Sequence, residues 1–155
     1  MTDGLVIRPA RPDDLDGVLR IHVEQGSRSD GPSTDRERAM WHRMMTTSDL
    51  TVYVAELESE LIGTAGVMAM PNVTYDCAPT LFVEAVVVTP PHRRRGIATA
   101  IMQRVLDDAR AAGCNKVQVL SHKRHASDGA HDLYRNLGFS AEAEGFRLYL
   151  TDAGR

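Results

Sequence analysis

The stretch "VVVTPPHRRRGIATAIMQRVLDDARAAG", from Val86 to Gly113, decides the fold of this chain. It passes from an apolar β-branched run through two prolines and three arginines into an amphipathic pattern that ends at a glycine. The β-branched run predicts a strand, and the apolar spacing after it predicts a helix. Because the prolines donate no N–H and prevent an earlier start, the helix is expected to begin close to Gly96.

This junction has the features of an anion site. The first N–H groups of a helix have no intrahelical partner, and the peptide dipoles add partial positive charge there. Gly96 lets a ligand approach the backbone closely, and Ala98 keeps the next position small. The side chains of Arg93, Arg94 and Arg95 add positive charge, so the junction favours an extended polyanion such as a pyrophosphate. A solvated basic loop is the alternative interpretation.

Length and composition limit the classes of protein that fit. The chain has 155 residues, a net charge of −3 and two cysteines, Cys77 and Cys114, whose spacing matches neither a metal site nor a disulfide framework. We expect one domain over residues 1–155 in a reducing, cytoplasmic setting. The acidic balance disfavours nucleic-acid binding, and the apolar runs are too short for a membrane span.

The sequence before the junction predicts strands and two helices. "GLVIRPA" predicts a first strand, and a possible Thr34–Glu37 capping box opens the second helix. "LTVYVAEL" and "LIGTAGVMAM" predict an antiparallel hairpin. "TLFVEAVVV" is nearly all apolar and predicts a central strand that is buried on both faces.

The sequence after the junction predicts a parallel crossover and two further pieces. "NKVQVLS" predicts a strand that pairs in parallel with the strand before the helix. "SDGAHDLYRNLG" predicts a short helix, and "FSAEAEGFRLYL" predicts one or two final strands. The expected fold class is therefore α+β (α/β three-layer), with a mixed, mainly antiparallel central sheet flanked by helices.

Two motifs point to a family. The run from Arg93 to Ala98 fits R/Q-x-x-G-x-G/A after a buried strand, and resembles the acetyl-CoA loop of the GNAT superfamily of N-acetyltransferases. The segment "SDGAHDLYRNLGF", from Ser127 to Phe139, resembles the second signature of that superfamily, N-x-x-A-x-x-(L/F)-Y-x-x-x-G-F. Ser127 stands where the family usually has Asn. The resemblance extends to the order of the elements and implies the GNAT acyl-CoA N-acyltransferase fold.

The resemblance implies acetyl-CoA as co-substrate and no metal. The strand edge Val86–Val88 would pair with the pantetheine arm, and backbone N–H groups from Arg94 to Thr99 would hold the pyrophosphate. The residues implied in cofactor binding are Val86, Val87, Val88, Arg93, Arg94, Arg95, Gly96, Ile97, Ala98, Thr99, Ser127 and Tyr134.

Acetyl transfer to an amine also needs proton movements. Tyr134 occupies the acid position of the family and would donate a proton to the leaving thiolate, although it could equally be a packing residue. Glu84 is the one charge in an apolar strand, and burial there would raise its pKa toward that of a general base. A structural ion pair or an anchor for the substrate amine are the alternative roles for Glu84.

The expected function is therefore an N-acetyltransferase that moves acetyl from acetyl-CoA to a primary amine, most plausibly of a small molecule, by direct attack in a ternary complex. A protein N-terminal or lysine acetyltransferase and a non-catalytic CoA-binding module are the alternatives. The first two helices would form the acceptor wall, with "GSRSDGPS" as a mobile rim and Trp41 more often core than site. Similar proteins often form dimers, so a homodimer is also expected.

Overall fold

In the computed structural model, which describes residues 4–150, the chain divides into two compact units, Met1–Val119 and Leu120–Arg155. The strands of the described chain all belong to the first unit, together with three α-helices. The described part of the second unit holds a short α-helix and irregular backbone. A single domain over the whole chain stays a prediction.

The five strands of the first unit form one sheet, in the spatial order β1 to β5 along its width. The first four strands pair with their sequence neighbours in antiparallel fashion, and β4 pairs with β5 in parallel. The predicted hairpin, the crossover and the mixed, mainly antiparallel sheet are therefore confirmed. The strands are β1 Val6–Pro9, β2 Leu50–Leu57, β3 Glu60–Met70, β4 Thr80–Val88 and β5 Lys116–Val119.

The helices of the first unit begin and end where local chemistry predicts. They are α1 Leu15–Gln25, α2 Asp35–Thr46 and α3 Ile97–Ala111. The Thr34–Glu37 capping box is present, with the Glu37 N–H donating to Thr34 Oγ1 at 3.2 Å. Helix α1 ends at Gly26, whose φ of 85° is the left-handed conformation that glycine adopts without a steric penalty.

Helices cover both faces of this sheet. Val52 and Val54 of β2 pack with Val18 and Ile21 of α1 and with Trp41 of α2 in one buried cluster. The indole Nε1 of Trp41 donates to the carbonyl oxygen of Pro12 at 3.0 Å, so the core interpretation of this tryptophan is confirmed. Side chains alternate between the faces of a strand, so the neighbours of Val52 and Val54 in β2 point to the opposite face, toward α3. These neighbours are Thr51, Tyr53 and Ala55.

Helix α3 is fixed to that second face by a polar contact as well as by apolar packing. Its residues Ile97, Ile101, Met102 and Val105 are fully buried. Arg104 donates from Nε to Asp108 at 2.9 Å and from Nη1 to the carbonyl oxygen of Ile7 in β1 at 3.3 Å. The orientation of α3, and with it the position of its N-terminus, is therefore set by both apolar and charged contacts.

The described part of the second unit contains α4, Ala130–Asn136, as the second signature predicts. The chain leaves α4 at Gly138, whose φ is 89°. The prediction of one or two strands in "FSAEAEGFRLYL" is wrong, because the structure has no strand over residues 139–150. Phe146 and Leu148 of this segment are 90% and 82% exposed. An alternating apolar pattern makes a strand only where a second strand accepts its backbone hydrogen bonds.

Over residues 4–150, the longest and most apolar helices fall short of what crossing a membrane requires.

Candidate active site

Strand β4 carries a β-bulge at Ala85. Thr64 of β3 pairs with Val87, and Gly66 pairs with Glu84, so two residues of β4 stand opposite one residue of β3. Ala85 has a φ of 52°, in the left-handed region that a residue with a Cβ rarely adopts. Such strain persists where surrounding structure fixes it, and it occurs often at functional sites. The sequence contains no signal for this bulge, because alanine is not a residue that usually marks one.

Beyond the bulge, β4 separates from β5. The two strands pair only from Thr80 to Val83 on β4 and from Lys116 to Val119 on β5. From Glu84 to Val88 the edge of β4 that faces away from β3 therefore has no strand beside it in the described chain. This edge includes Val86–Val88, the residues expected to pair with a pantetheine arm.

The loop after β4 is held to the strand by its own side chains. Arg93 donates from Nε to the carbonyl oxygen of Val88 at 3.0 Å, so this guanidinium braces the end of the strand. The hydroxyl of Thr89 lies 2.9 Å from His92 Nδ1. The backbone N–H of Thr89 donates to the carbonyl oxygen of Ile62, also at 2.9 Å. Arg94 then has a φ of 62°. The loop therefore enters α3 in a defined conformation.

The N-terminus of α3 is open. Gly96 is the N-cap, with a φ of 79°, and no side chain of the described residues caps this end. A Cβ built on Gly96 meets no atom within 4 Å, so there is free space in front of the helix. Ile97 is buried, whereas Arg94, Arg95, Gly96 and Thr99 are exposed. The backbone donors and the space in front of them suit a pyrophosphate.

Glu84 does not lie in the environment that the sequence predicts. The prediction of a strand buried on both faces is wrong in this part of β4: Leu81, Val83 and Val88 are buried, but Glu84 and Ala85 are exposed. Burial was the premise of a general-base role for Glu84, and the structure removes that premise. The physical reason is the strand register: the cross-strand neighbour of Glu84 is Gly66, which has no side chain to cover it.

Glu84 lies on the face of the sheet that α1 and α2 cover. Residues directly opposite in an antiparallel pair point to the same face. Val52 pairs with Gly66 and Gly66 pairs with Glu84, while Val52 belongs to the buried cluster with α1 and α2. Val87 also packs against that cluster. The face of the first two helices therefore carries the one carboxylate of β4.

The loop between α1 and α2 is ordered around Arg28. This guanidinium pairs with Glu37 at 2.7 Å from Nε and at 3.1 Å from Nη2. It also donates to the carbonyl oxygens of Ser29, Gly31 and Pro32. The pairing lowers the pKa of Glu37 to about 2, chiefly through the hydrogen bond from Arg28. Arg28 thus gives the segment "GSRSDGPS" internal contacts, and its role as a mobile rim of the acceptor site stays a prediction.

His22, near the end of α1, is half-buried, as its place on the apolar face of a helix predicts. Its Nδ1 lies 3.1 Å from the hydroxyl of Ser27. Burial lowers the pKa of this histidine. His22 is thereby fixed by a local contact at the start of the α1–α2 loop.

Two predicted site residues, Tyr134 and Ser127, belong to the second unit. Tyr134 lies on α4, half-buried, with its ring edge-on to Phe139 at a centroid separation of 5.8 Å. Ser127 is exposed and precedes Asp128, whose Oδ1 accepts the Ala130 N–H at 3.1 Å. A hydrogen bond from His125 lowers the pKa of Asp128. The roles of Tyr134 and Ser127 toward a cofactor stay predictions.

A cavity of about 650 Å³ lies elsewhere in the first unit. Its lining comes from the turn before α1, from α1 itself and from the β2–β3 turn. The charged residues of the lining are four acids and one base: Asp13, Asp14, Asp16, Glu60 and Arg20. An acidic wall repels a polyphosphate, whereas the N-terminus of α3 attracts one. The electrostatics therefore favour the α3 junction over this cavity as the cofactor site.

Comparison with known proteins identifies a family and a common fold. The sequence description of the "Acetyltransferase (GNAT) family" matches residues 15–139. A glucosamine 6-phosphate N-acetyltransferase of Trypanosoma brucei brucei is 29% identical over 99 residues, which is 64% of this chain and 64% of that protein. The match thus spans a little under two thirds of the length of that curated relative.

Solved structures share the fold over most of the chain. A protein of Agrobacterium tumefaciens str. C58 described as an acetyltransferase has a TM-score of 0.85 and 27% identity, over 93% of this chain and 99% of that one. A protein of Clostridium acetobutylicum that is described as an acetyltransferase and was solved with acetyl-CoA has a TM-score of 0.70 and 20% identity, over 94% of this chain and 96% of that one.

Proposed function

Because this chain belongs to the acetyltransferase (GNAT) family, we propose that it transfers the acetyl group of acetyl-CoA to the primary amine of a small molecule. The observation that carries the proposal is the junction of β4 and α3. There, an unpaired strand edge leads into a helix N-terminus that no side chain of the described residues caps. A thioester arm and the diphosphate attached to it need these two elements in this order.

The residues present fit the cofactor. Gly96 leaves free space in front of α3, and the positive φ of Arg94 and Gly96 turns the loop into that helix. The N–H groups of Ile97, Ala98 and Thr99 would hold the pyrophosphate. Val86–Val88 would pair with the amide groups of the pantetheine arm as a short added strand. Arg93 would act through the strand, since its Nε is already bonded to Val88.

Transfer proceeds by direct attack in a ternary complex. The neutral amine attacks the thioester carbonyl, a C–N bond forms, and the C–S bond breaks as the thiolate of CoA leaves. An ordinary alkylammonium has a pKa of about 10.4, so the amine must lose a proton before attack. Glu84, open to water on the face of α1 and α2, would hold the ammonium and pass its proton on through water. Tyr134 would protonate the leaving thiolate and regain a proton, through water, from the nitrogen as the amide forms.

Two measurements test this function. Acetyl-CoA should raise the melting temperature, because a ligand at about a hundred times its Kd stabilises the folded state by roughly 2.7 kcal/mol. Release of free thiol from acetyl-CoA across a panel of small amines should then show turnover. Stabilisation without thiol release would leave a CoA-binding module, and release only with peptides would indicate a protein acetyltransferase. No stabilisation by acetyl-CoA or CoA would remove the proposal.

A further inference from the structure

The face of the sheet that carries Glu84 continues past α1 and α2 as an uncovered surface. Gly66 pairs with Glu84 and Met68 pairs with Phe82, so these four residues occupy adjacent positions on two strands. They point to the same face, because directly opposite residues and residues two apart in a strand do so. We call Gly66, Met68, Phe82 and Glu84 the Glu84 platform.

The other face of the same strands is buried, which makes the exposure of the platform notable. Leu81 and Val83 alternate with the platform residues of β4 and are 7% and 2% exposed. Met68, in contrast, is 45% exposed, and Glu84 is also exposed. A methionine at this exposure near the end of an 11-residue strand leaves apolar surface available to a ligand.

Gly66 makes a notch in the platform. A Cβ built at this position meets, within 4 Å, only the carbonyl oxygen of Glu84, at 3.7 Å. That is an ordinary contact, so no neighbouring side chain of the described residues fills the space above Gly66. The notch is bounded along β3 by Met68 and across to β4 by Glu84.

Charge and polarity together define what such a surface would bind. The four platform residues offer one carboxylate beside a thioether and an aromatic ring. Lys116, the basic residue of β5 on this face, has its Nζ 5.1 Å from the ring centroid of Tyr75. A carboxylate attracts an ammonium group and repels a phosphate. Phe82 and Met68 favour an apolar substituent on that ammonium.

We propose that the Glu84 platform selects the acceptor, and that the acceptor is a cationic primary amine with an apolar arm rather than a sugar phosphate. The proposal rests on the transferase function above. Glu84 binds the ammonium, the arm enters the notch at Gly66, and Met68 and Phe82 cover it. The amine thereby lies on the strand that also bears Val86–Val88, a few residues from the proposed thioester arm.

The test compares three amines with the full chain: phenethylamine, ethylamine and glucosamine 6-phosphate. We expect kcat/KM to be about tenfold or more higher for phenethylamine than for the other two, the effect of an apolar substituent in a matching site. Gly66→Leu should lower kcat/KM for phenethylamine about tenfold to a hundredfold by filling the notch, and change the value for ethylamine far less. Glu84→Gln should raise KM for both cationic amines.

Met68 and Met70 supply a matched pair of variants. Both are 45% exposed on the same face of β3, but Met70 lies about 13 Å from Gly66, four residues along an extended strand. Met68→Ala should weaken the use of phenethylamine, and Met70→Ala should leave it unchanged. Equal effects of the two substitutions would overturn the platform, and so would a preference for glucosamine 6-phosphate.

The outcomes separate this proposal from the function on which it rests. Calorimetric titration with acetyl-CoA reports on the α3 junction, and every platform variant should keep the wild-type Kd. A chain that fails to bind acetyl-CoA refutes the transferase function. A chain that binds acetyl-CoA but turns over none of the cationic amines refutes the platform. Titration of phenethylamine into wild type and into Gly66→Leu, both saturated with CoA, tests the platform without turnover. The variant should bind phenethylamine more weakly than wild type.

Discussion

The hydroxyl of Tyr53 in β2 donates a hydrogen bond of 2.6 Å to Oδ2 of Asp108 in α3. The same carboxylate oxygen accepts the bond from Arg104 Nε. Burial and this hydrogen bond raise the pKa of Tyr53 above its ordinary value, so the phenol keeps its proton and is the donor. The contact joins the middle of the sheet to the helix whose N-terminus forms the proposed cofactor site.

Tyr53→Phe should lower the free energy of unfolding by about 1 kcal/mol, the net value of one hydrogen bond. The loss is moderate because Asp108 keeps Arg104 and contact with water. Denaturant unfolding measures the difference. Tyr75→Phe is the control, since Tyr75 is exposed and its ring contact with Lys116 survives the change. A similar loss in both variants would show that the bond to Asp108 contributes nothing specific.

Gly96→Val should raise the Kd for acetyl-CoA about tenfold or more, the cost of one lost charge-assisted hydrogen bond. The matched control is Gly26→Val. The φ values are 79° and 85°, and a Cβ meets nothing within 4 Å at either position. Both substitutions should therefore destabilise the fold alike, by roughly 1–2 kcal/mol of left-handed strain. Equal acetyl-CoA affinity in the two variants would contradict the assignment of the loop.

Tyr134→Phe should lower kcat about a hundredfold, as expected on losing a general acid, while the Kd for acetyl-CoA changes little. Phenylalanine keeps the edge-on ring contact with Phe139, so α4 should retain its packing. Single-turnover kinetics with saturating amine separates the chemical step from binding. Turnover equal to wild type would assign Tyr134 to packing alone.

The stability of the fold should decline in acid through Asp14. Arg8 holds this buried carboxylate with bonds of 2.7 and 3.0 Å, and the Arg11 N–H adds one of 2.6 Å. The hydrogen bond from Arg8 lowers the pKa of Asp14 below its usual range. A lowered folded-state pKa means that the stabilisation is complete above the unfolded-state pKa of about 3.9, and is lost as pH falls through the folded-state value.

Asp14→Asn should therefore flatten the dependence of unfolding free energy on pH below about pH 4. Urea unfolding from pH 7 down to pH 2 measures the slope. Part of this slope should remain in Asp14→Asn, because Glu37, whose pKa is about 2 in the folded chain, also takes up a proton on unfolding in acid. Asp35→Asn is the control, since the carboxylate of Asp35 is fully exposed. An unchanged slope in Asp14→Asn would place the acid sensitivity elsewhere.

Local chemistry explains most of the fold that the sequence predicts. Glycine in the left-handed conformation ends α1 at Gly26, and Gly113, with a φ of 68°, follows α3. The capping box at Thr34 starts α2, and the β-branched run places β4. Each of these depends on a few neighbouring residues, so it can be predicted without knowing the packing.

Features that depend on distant partners are those the sequence does not predict. The exposure of Glu84 follows from Gly66, which is distant along the chain and becomes its neighbour only through strand register. The bulge at Ala85 likewise depends on how β3 pairs, not on the alanine itself. Residues 139–150 alternate like a strand, but pairing decides whether an alternating segment is one.

The extra residue at Ala85 shifts the alternation of side chains along β4, so that Glu84 and Val87 point to the same face. In a regular strand, two residues three positions apart would point to opposite faces. Under the platform proposal, amino-acid exchanges before the bulge would alter acceptor choice without disturbing Val86–Val88 behind it. A single-residue deletion at Ala85 would restore one-to-one pairing with β3 and leave Glu84 and Val87 on the same face. The deletion would remove the bend that a bulge gives a strand, so the path of Val86–Val88 depends on the number of residues at this position and not on the alanine side chain.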